Sequence, residues 1–161
     1  MKKKWIWLAV TAIPLLLICT LLLSVYNHAQ KPHEKAKEYA VSVAKQESAI
    51  TSVVDFNIYN SKETYYAVIG KTDKNKQLAV FVPKETKKQP VTKDITKGIS
   101  KEEAVKKLEN DPLVKKLLSA RLGIEKPGPV WELVFLDKND QVNYYYLRAD
   151  NGEWWKKIKH I

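Results

Sequence analysis

Gly98-Ile99-Ser100-Lys101-Glu102-Glu103-Ala104-Val105 decides how this chain is read. Gly98 marks a joint. Ser100 is a helix N-cap, and Glu103, three residues on, completes a capping box in which each side chain satisfies the other's backbone N–H. A helix therefore starts here, with Ala104, Val105 and Leu108 as its inner stripe. Asp111-Pro112 reads as a second start, Asp as the cap and Pro at the first helical position. Leu113, Val114, Leu117, Leu118 and Leu122 continue it, and Gly123 suits its end. The expectation is two helical pieces meeting at Asp111.

Toward the C-terminus, Pro127-Gly128-Pro129 leads into three strands. Val130 to Leu136 is the first, turned by Asp137-Lys138-Asn139-Asp140. Gln141 to Ala149 is the second and Glu153 to Ile158 the third. Asp150-Asn151-Gly152 between them predicts a type I′ turn, because Asn-Gly accepts positive φ.

Toward the N-terminus the same order appears. Lys35 to Ser48 carries Ala36, Tyr39, Ala40, Val43 and Ala44 at helical spacing. Ser52 to Tyr59 follows as a strand, with Val54, Phe56 and Ile58 on one face and Asp55 and Asn57 on the other. Thr64 to Ile69 is a second strand and Gln77 to Val82 a third, separated by polar loops such as Asp73-Lys74-Asn75-Lys76. Val91 to Ile95 adds a short edge strand, whose lysine discourages edge-to-edge pairing. Helix then strands, twice, predicts an α+β fold of two cystatin-like or PepSY-like units, each a helix packed on an antiparallel sheet. The expected divisions are residues 1–30, 31–97 and 98–161.

Ahead of both halves lies Trp5 to Tyr26, uncharged and rich in Leu, Ile, Val and Ala. As a helix it spans roughly 33 Å, enough to cross a hydrocarbon core of about 30 Å. Lys2, Lys3 and Lys4 precede it, a basic flank of the kind retained in the cytoplasm. Trp5 and Trp7 suit the inner interface and Tyr26 the outer one. The expectation is an uncleaved transmembrane anchor in the lipid bilayer, with everything after about Gln30 extracytoplasmic. A cleaved signal fits less well, since Asn27-His28-Ala29 is a poor small-residue site. Cys19, preceded by Ile18, does not fit a lipoprotein signal.

The chain carries a net charge of +10, and all 18 acidic residues follow position 30. Three of the 28 basic residues precede it, which leaves the extracytoplasmic part at +7. Such a charge points to anionic neighbours, either lipid head groups or anionic wall polymers. No consecutive basic block outside the N-terminus points to nucleic acid. Cys19 is the single cysteine, so the extracytoplasmic part has neither disulfide nor thiol chemistry. His28, His33 and His160 lie in no metal or hydrolase motif, and no Gly-rich phosphate loop exists. The expectation is no enzyme and no cofactor.

The surface signal is aromatic. Alternation puts Trp154 and Ile158 on one face of the last strand, with Trp155, Lys157 and Lys159 on the other, solvated one. Tyr145, on the strand before, faces opposite to Tyr144 and Tyr146. Tyr145, Trp155, Lys157 and Lys159 form the candidate partner contact. Lys156, on the Trp154 face, breaks the alternation.

Gly98-Ile99-Ser100-Lys101-Glu102-Glu103-Ala104 is similar to the helix opening of PepSY domains. Trp131-Glu132-Leu133-Val134-Phe135, Tyr144-Tyr145-Tyr146 and Asp150-Asn151-Gly152-Glu153-Trp154 resemble their hairpin. With the anchor and a cystatin-like first half, the whole chain resembles the TseB (YpmB) family of Bacillus-type bacteria. That resemblance implies a single-pass membrane regulator of cell wall elongation that binds a class B penicillin-binding protein. PepSY domains also occur in protease propeptides, so the alternative is an inhibitor or chaperone of a secreted peptidase.

Overall fold

A computed structural model describes residues 2–85 and 87–159, with side chains described outside 2–15 and 27. Two helices and eight strands follow in the order α1 (Lys2–Glu47), β1 (Ser52–Asn60), β2 (Thr64–Lys71), β3 (Gln77–Pro83), β4 (Val91–Asp94), α2 (Lys101–Glu109), β5 (Val114–Glu125), β6 (Gly128–Asp137), β7 (Val142–Arg148) and β8 (Trp154–Ile158). The strands make two antiparallel four-stranded sheets, β1-β2-β3-β4 and β5-β6-β7-β8. Residues 1–38 and residues 39–161 form separate compact units.

In the first unit, α1 runs unbroken through Lys31–Glu34, which the sequence marks as a polar juncture. Pro32 removes one backbone donor, and strong helix formers on both sides (Ala29, Gln30, Lys35, Ala36) carry the helix past it. Among the described residues no helix is long and apolar enough to cross a membrane. The side chains of Lys2, Lys3, Lys4, Trp5 and Trp7 lie outside the described residues. Leu16, Leu17, Ile18, Leu21, Leu22, Leu23, Val25 and Tyr26 are all exposed.

In the second unit, the end of α1 buries Ala40 and Ala44 against Val68, Val80 and Val82 of the first sheet. Two alanines let the helix approach closely. Tyr39, read as part of the same stripe, stays exposed at the edge and meets Tyr66 edge-to-face at 6.5 Å. The opposite face of that sheet supplies Ala67, Ile69, Ala79 and Phe81 to a larger core. That core also takes Ala104 and Leu108 of α2 and Leu122, Trp131, Leu133, Phe135, Tyr145 and Leu147 of the second sheet. One continuous core therefore joins the two halves. In β1, Val54 sits at a register shift and is exposed, parted from Phe56 and Ile58 with which alternation grouped it.

The joint is built as its residues require. Ser100 Oγ accepts the Glu103 N–H at 3.1 Å, and Glu103 Oε2 accepts the Ser100 N–H at 2.7 Å. A Cβ on Gly98 would meet the Ala149 carbonyl oxygen at 2.3 Å, so the chain can press onto the second sheet there. Trp131 Nε1 donates to the Ile99 carbonyl at 3.0 Å and fastens the same segment.

The second helical piece expected after Asp111 is instead β5. Its inward residues are Val114, Leu117, Ala120, Leu122 and Ile124. Register shifts between Val114 and Lys116 and between Leu117 and Ser119 each insert an extra residue. Two bulges thus stretch a two-residue alternation to a spacing of three, which imitates a helix. Asp111 Oδ1 accepts the Leu113 N–H at 3.0 Å, capping a turn rather than a helix.

Candidate binding surface

The C-terminal hairpin is where the sequence places its aromatic signal. Its turn differs from the expected type I′, since only Gly152 takes a positive φ, 71°, and Asn151 does not. Instead Gly152 N–H donates to the Arg148 carbonyl at 2.9 Å, and Glu153 N–H to Asn151 Oδ1 at 2.9 Å. Arg148 and Asp150 pair across its start.

Beyond the turn the register slips. Leu147 pairs with Trp154, but Tyr146 pairs with Lys156, so Trp155 is the extra residue of a β-bulge. The slip reverses the expected faces. Trp154 shares a face with Tyr145, their rings edge-to-face at 5.1 Å, and Tyr145 meets Phe135 in the same way at 4.7 Å. Lys157 Nζ lies 4.4 Å from the centroids of both Tyr145 and Trp154, within cation–π range. On the other face Trp155 meets Tyr146 edge-to-face at 6.1 Å, and Lys156 Nζ lies 5.4 Å from the Tyr146 ring.

The four residues singled out by alternation are therefore divided. Tyr145 and Lys157 stand together, with Tyr145 only 1% exposed. Trp155 is half-buried on the opposite face. Lys159 lines a small depression with Leu113, Phe135, Asp137, Lys138 and Tyr145. The exposed ring is Trp154, 41% accessible, which alternation turned inward. Its signal was already present, because Lys156 on the supposed inner face marks a broken alternation.

Behind Trp155 lies a buried polar row across the sheet. Tyr146 donates to Glu132 Oε2 at 3.1 Å, and Arg121 Nη2 approaches Glu132 Oε1 at 2.7 Å. Glu132 is only 3% exposed, so the guanidinium and the hydroxyl compensate its desolvation. Burial first, then the Glu132 carboxylate, pushes the Tyr146 hydroxyl well above the usual tyrosine range. On the opposite face of the sheet, burial and the neighbouring Asp111 carboxylate raise Tyr145 as well. Among the described residues no three metal-ligating side chains converge.

The family model described as "Cell wall elongation regulator TseB-like domain" matches residues 39–83, from the end of α1 through β3. A Bacillus subtilis (strain 168) protein named "Probable cell wall elongation regulator TseB" is 31% identical over 157 residues, spanning 98% of this chain and 98% of its own. The chain belongs to the TseB family. The solved structure of the YpmB protein from Bacillus subtilis, 32% identical, superposes with a TM-score of 0.66 over 76% of this chain and 95% of that one.

Proposed function

We propose that this chain is a non-enzymatic regulator of cell wall elongation, held in the cell membrane by its N-terminal helix and acting outside the cytoplasm on a class B penicillin-binding protein. The observation that carries the reading is the 31% identity, over 98% of both chains, to a protein named as an elongation regulator. The tether is supported by the uncharged run Trp5 to Tyr26 behind three lysines, and by eight exposed apolar side chains between Leu16 and Tyr26. Water does not tolerate such a helix surface, whereas lipid does. Tethering confines the body of the protein to the membrane surface and raises its effective concentration toward other membrane proteins. Binding then shifts the partner toward one conformation or stabilises its assembly. The aromatic and lysine side chains of β8 are the proposed contact surface.

The test is affinity enrichment of the full chain from crosslinked membranes. The expected result is co-purification of a wall-synthesis transpeptidase, lost when residues 31–161 are deleted. Repeated enrichment without any such enzyme contradicts the reading. Unchanged cell dimensions with altered extracellular proteolysis favour the peptidase inhibitor instead.

A further inference from the structure

We propose that β8 is a binding site for a linear polyanion, a polymer of phosphodiester-linked polyols or sugars. The proposal goes beyond the regulatory reading and stands on charge and geometry alone.

Residues 154–159 hold Lys156, Lys157 and Lys159 and no acid. Each of the three lysines is exposed, and among the described residues none of them has a salt-bridge partner. The surrounding carboxylates, Asp111 beside Tyr145 among them, keep their charge but accept hydrogen bonds from neutral groups. Glu153 accepts from Asn151 Nδ2 at 2.9 Å. Asp137 accepts the N–H groups of Asn139 and Gln141 and the Asn143 amide. Two of the lysine heads are steadied by rings, Lys157 by Tyr145 and Trp154, Lys156 by Tyr146. A cation resting on a ring keeps its full charge and offers it to an anion with less side-chain entropy to lose.

The lysine arrangement decides the kind of anion. Lys156 and Lys157, consecutive residues of an edge strand paired with Tyr146 and Tyr145, point to opposite faces and make a positive rib instead of a flat patch. A flexible chain of phosphates can straddle a rib and engage the lysines of both faces at once. Addition of a partner strand is opposed by the bulge and by lysines on the edge. The adjoining depression holds about 100 Å³, well under the volume of an ordinary ligand pocket. Recognition therefore rests on surface charge, with the exposed Trp154 ring stacking on the C–H groups between phosphates.

The experiment titrates the full chain, in zwitterionic detergent, with poly(glycerol phosphate), reading tryptophan fluorescence and calorimetric heat. The expected result is saturable binding that weakens about tenfold between low and moderate salt, as counterion release requires. Replacing Lys156, Lys157 and Lys159 by Gln weakens binding about tenfold and flattens the salt slope by about 2. Trp154→Ala weakens it about threefold with the slope unchanged, and thermal melts show that both variants fold. Lys93→Gln with Lys97→Gln, exposed lysines outside β8, leaves binding within about twofold. The proposal is overturned by a triple variant that binds like the parent, or by equal loss on changing Lys93 and Lys97. Polyglutamate binding as tightly as the phosphate polymer also overturns it. So does tighter, Lys-dependent binding to phosphatidylglycerol vesicles.

Discussion

At the scale of single residues, the two halves are joined by a tyrosine lying on a glycine. Tyr59, 1% exposed, sits where a Cβ of Gly123 would come within 2.4 Å of its ring. Its hydroxyl donates to Glu125 Oε1 at 2.7 Å, which also accepts from Ser61 Oγ at 2.7 Å. Gly123→Ala forces that ring away and costs about 2 kcal/mol, measured by denaturant unfolding; an unchanged midpoint refutes the contact. Burial, then the Glu125 hydrogen bond, holds the Tyr59 hydroxyl neutral far above its usual 10.0. Tyr146 behaves likewise. Both ionise in the unfolded chain from about pH 10 but stay neutral when folded. Their contribution is therefore complete below pH 10 and is lost as pH rises above it, by about 1.4 kcal/mol per pH unit for each group. Tyr59→Phe loses one hydrogen bond, about 1 kcal/mol at neutral pH, and its alkaline loss of stability is shallower by one proton. Urea titrations at pH 8 to 11 check this, and parallel curves contradict it.

At the scale of elements, what the sequence made legible had complete local signals, and what it hid followed bulges. The α2 capping box and the stripe Ala104–Leu108 stand at helical spacing, and strands β2, β3, β6 and β7, read as apolar and aromatic runs between turn residues, are found where those runs lie. The expected helix after Asp111 is β5, because two inserted residues turned its alternation into steps of three. The same defect at Trp155 put Trp154 on the face of Lys157 and Trp155 on the other, and so divided the candidate contact. A bulge has no residue signature of its own, but a lysine on an inward face betrays one, as Lys156 does. Gly123, read as a helix stop, is explained by a side chain from another sheet, which no local pattern contains. Where the local signal is complete, its energy is simple. Ser100→Ala removes the acceptor of the Glu103 N–H and destabilises by about 1 kcal/mol, seen as a lowered melting temperature, whereas Ser100→Asp restores it. Equal melting of the Ala variant rules out the cap as a contributor.

At the scale of the whole molecule, the proposed halves 31–97 and 98–161 are divisions of architecture that share one core. Ala67, Ile69, Ala79 and Phe81 pack with residues of α2 and the second sheet. Either half alone exposes that face to water, so each expressed singly gives no cooperative melt. A sharp transition in either fragment contradicts the shared core. The proposed activity adds a tether to this body, and the tether is the central claim, because it sets the side of the membrane and the available partners. Its most direct test replaces residues 1–30 with a secretory signal that is cleaved, releasing residues 31–161 outside the membrane in cells lacking the native protein. The expected result is abundant, folded protein that fails to restore normal cell length and width, while the full chain restores both. Full rescue by the released form would contradict it.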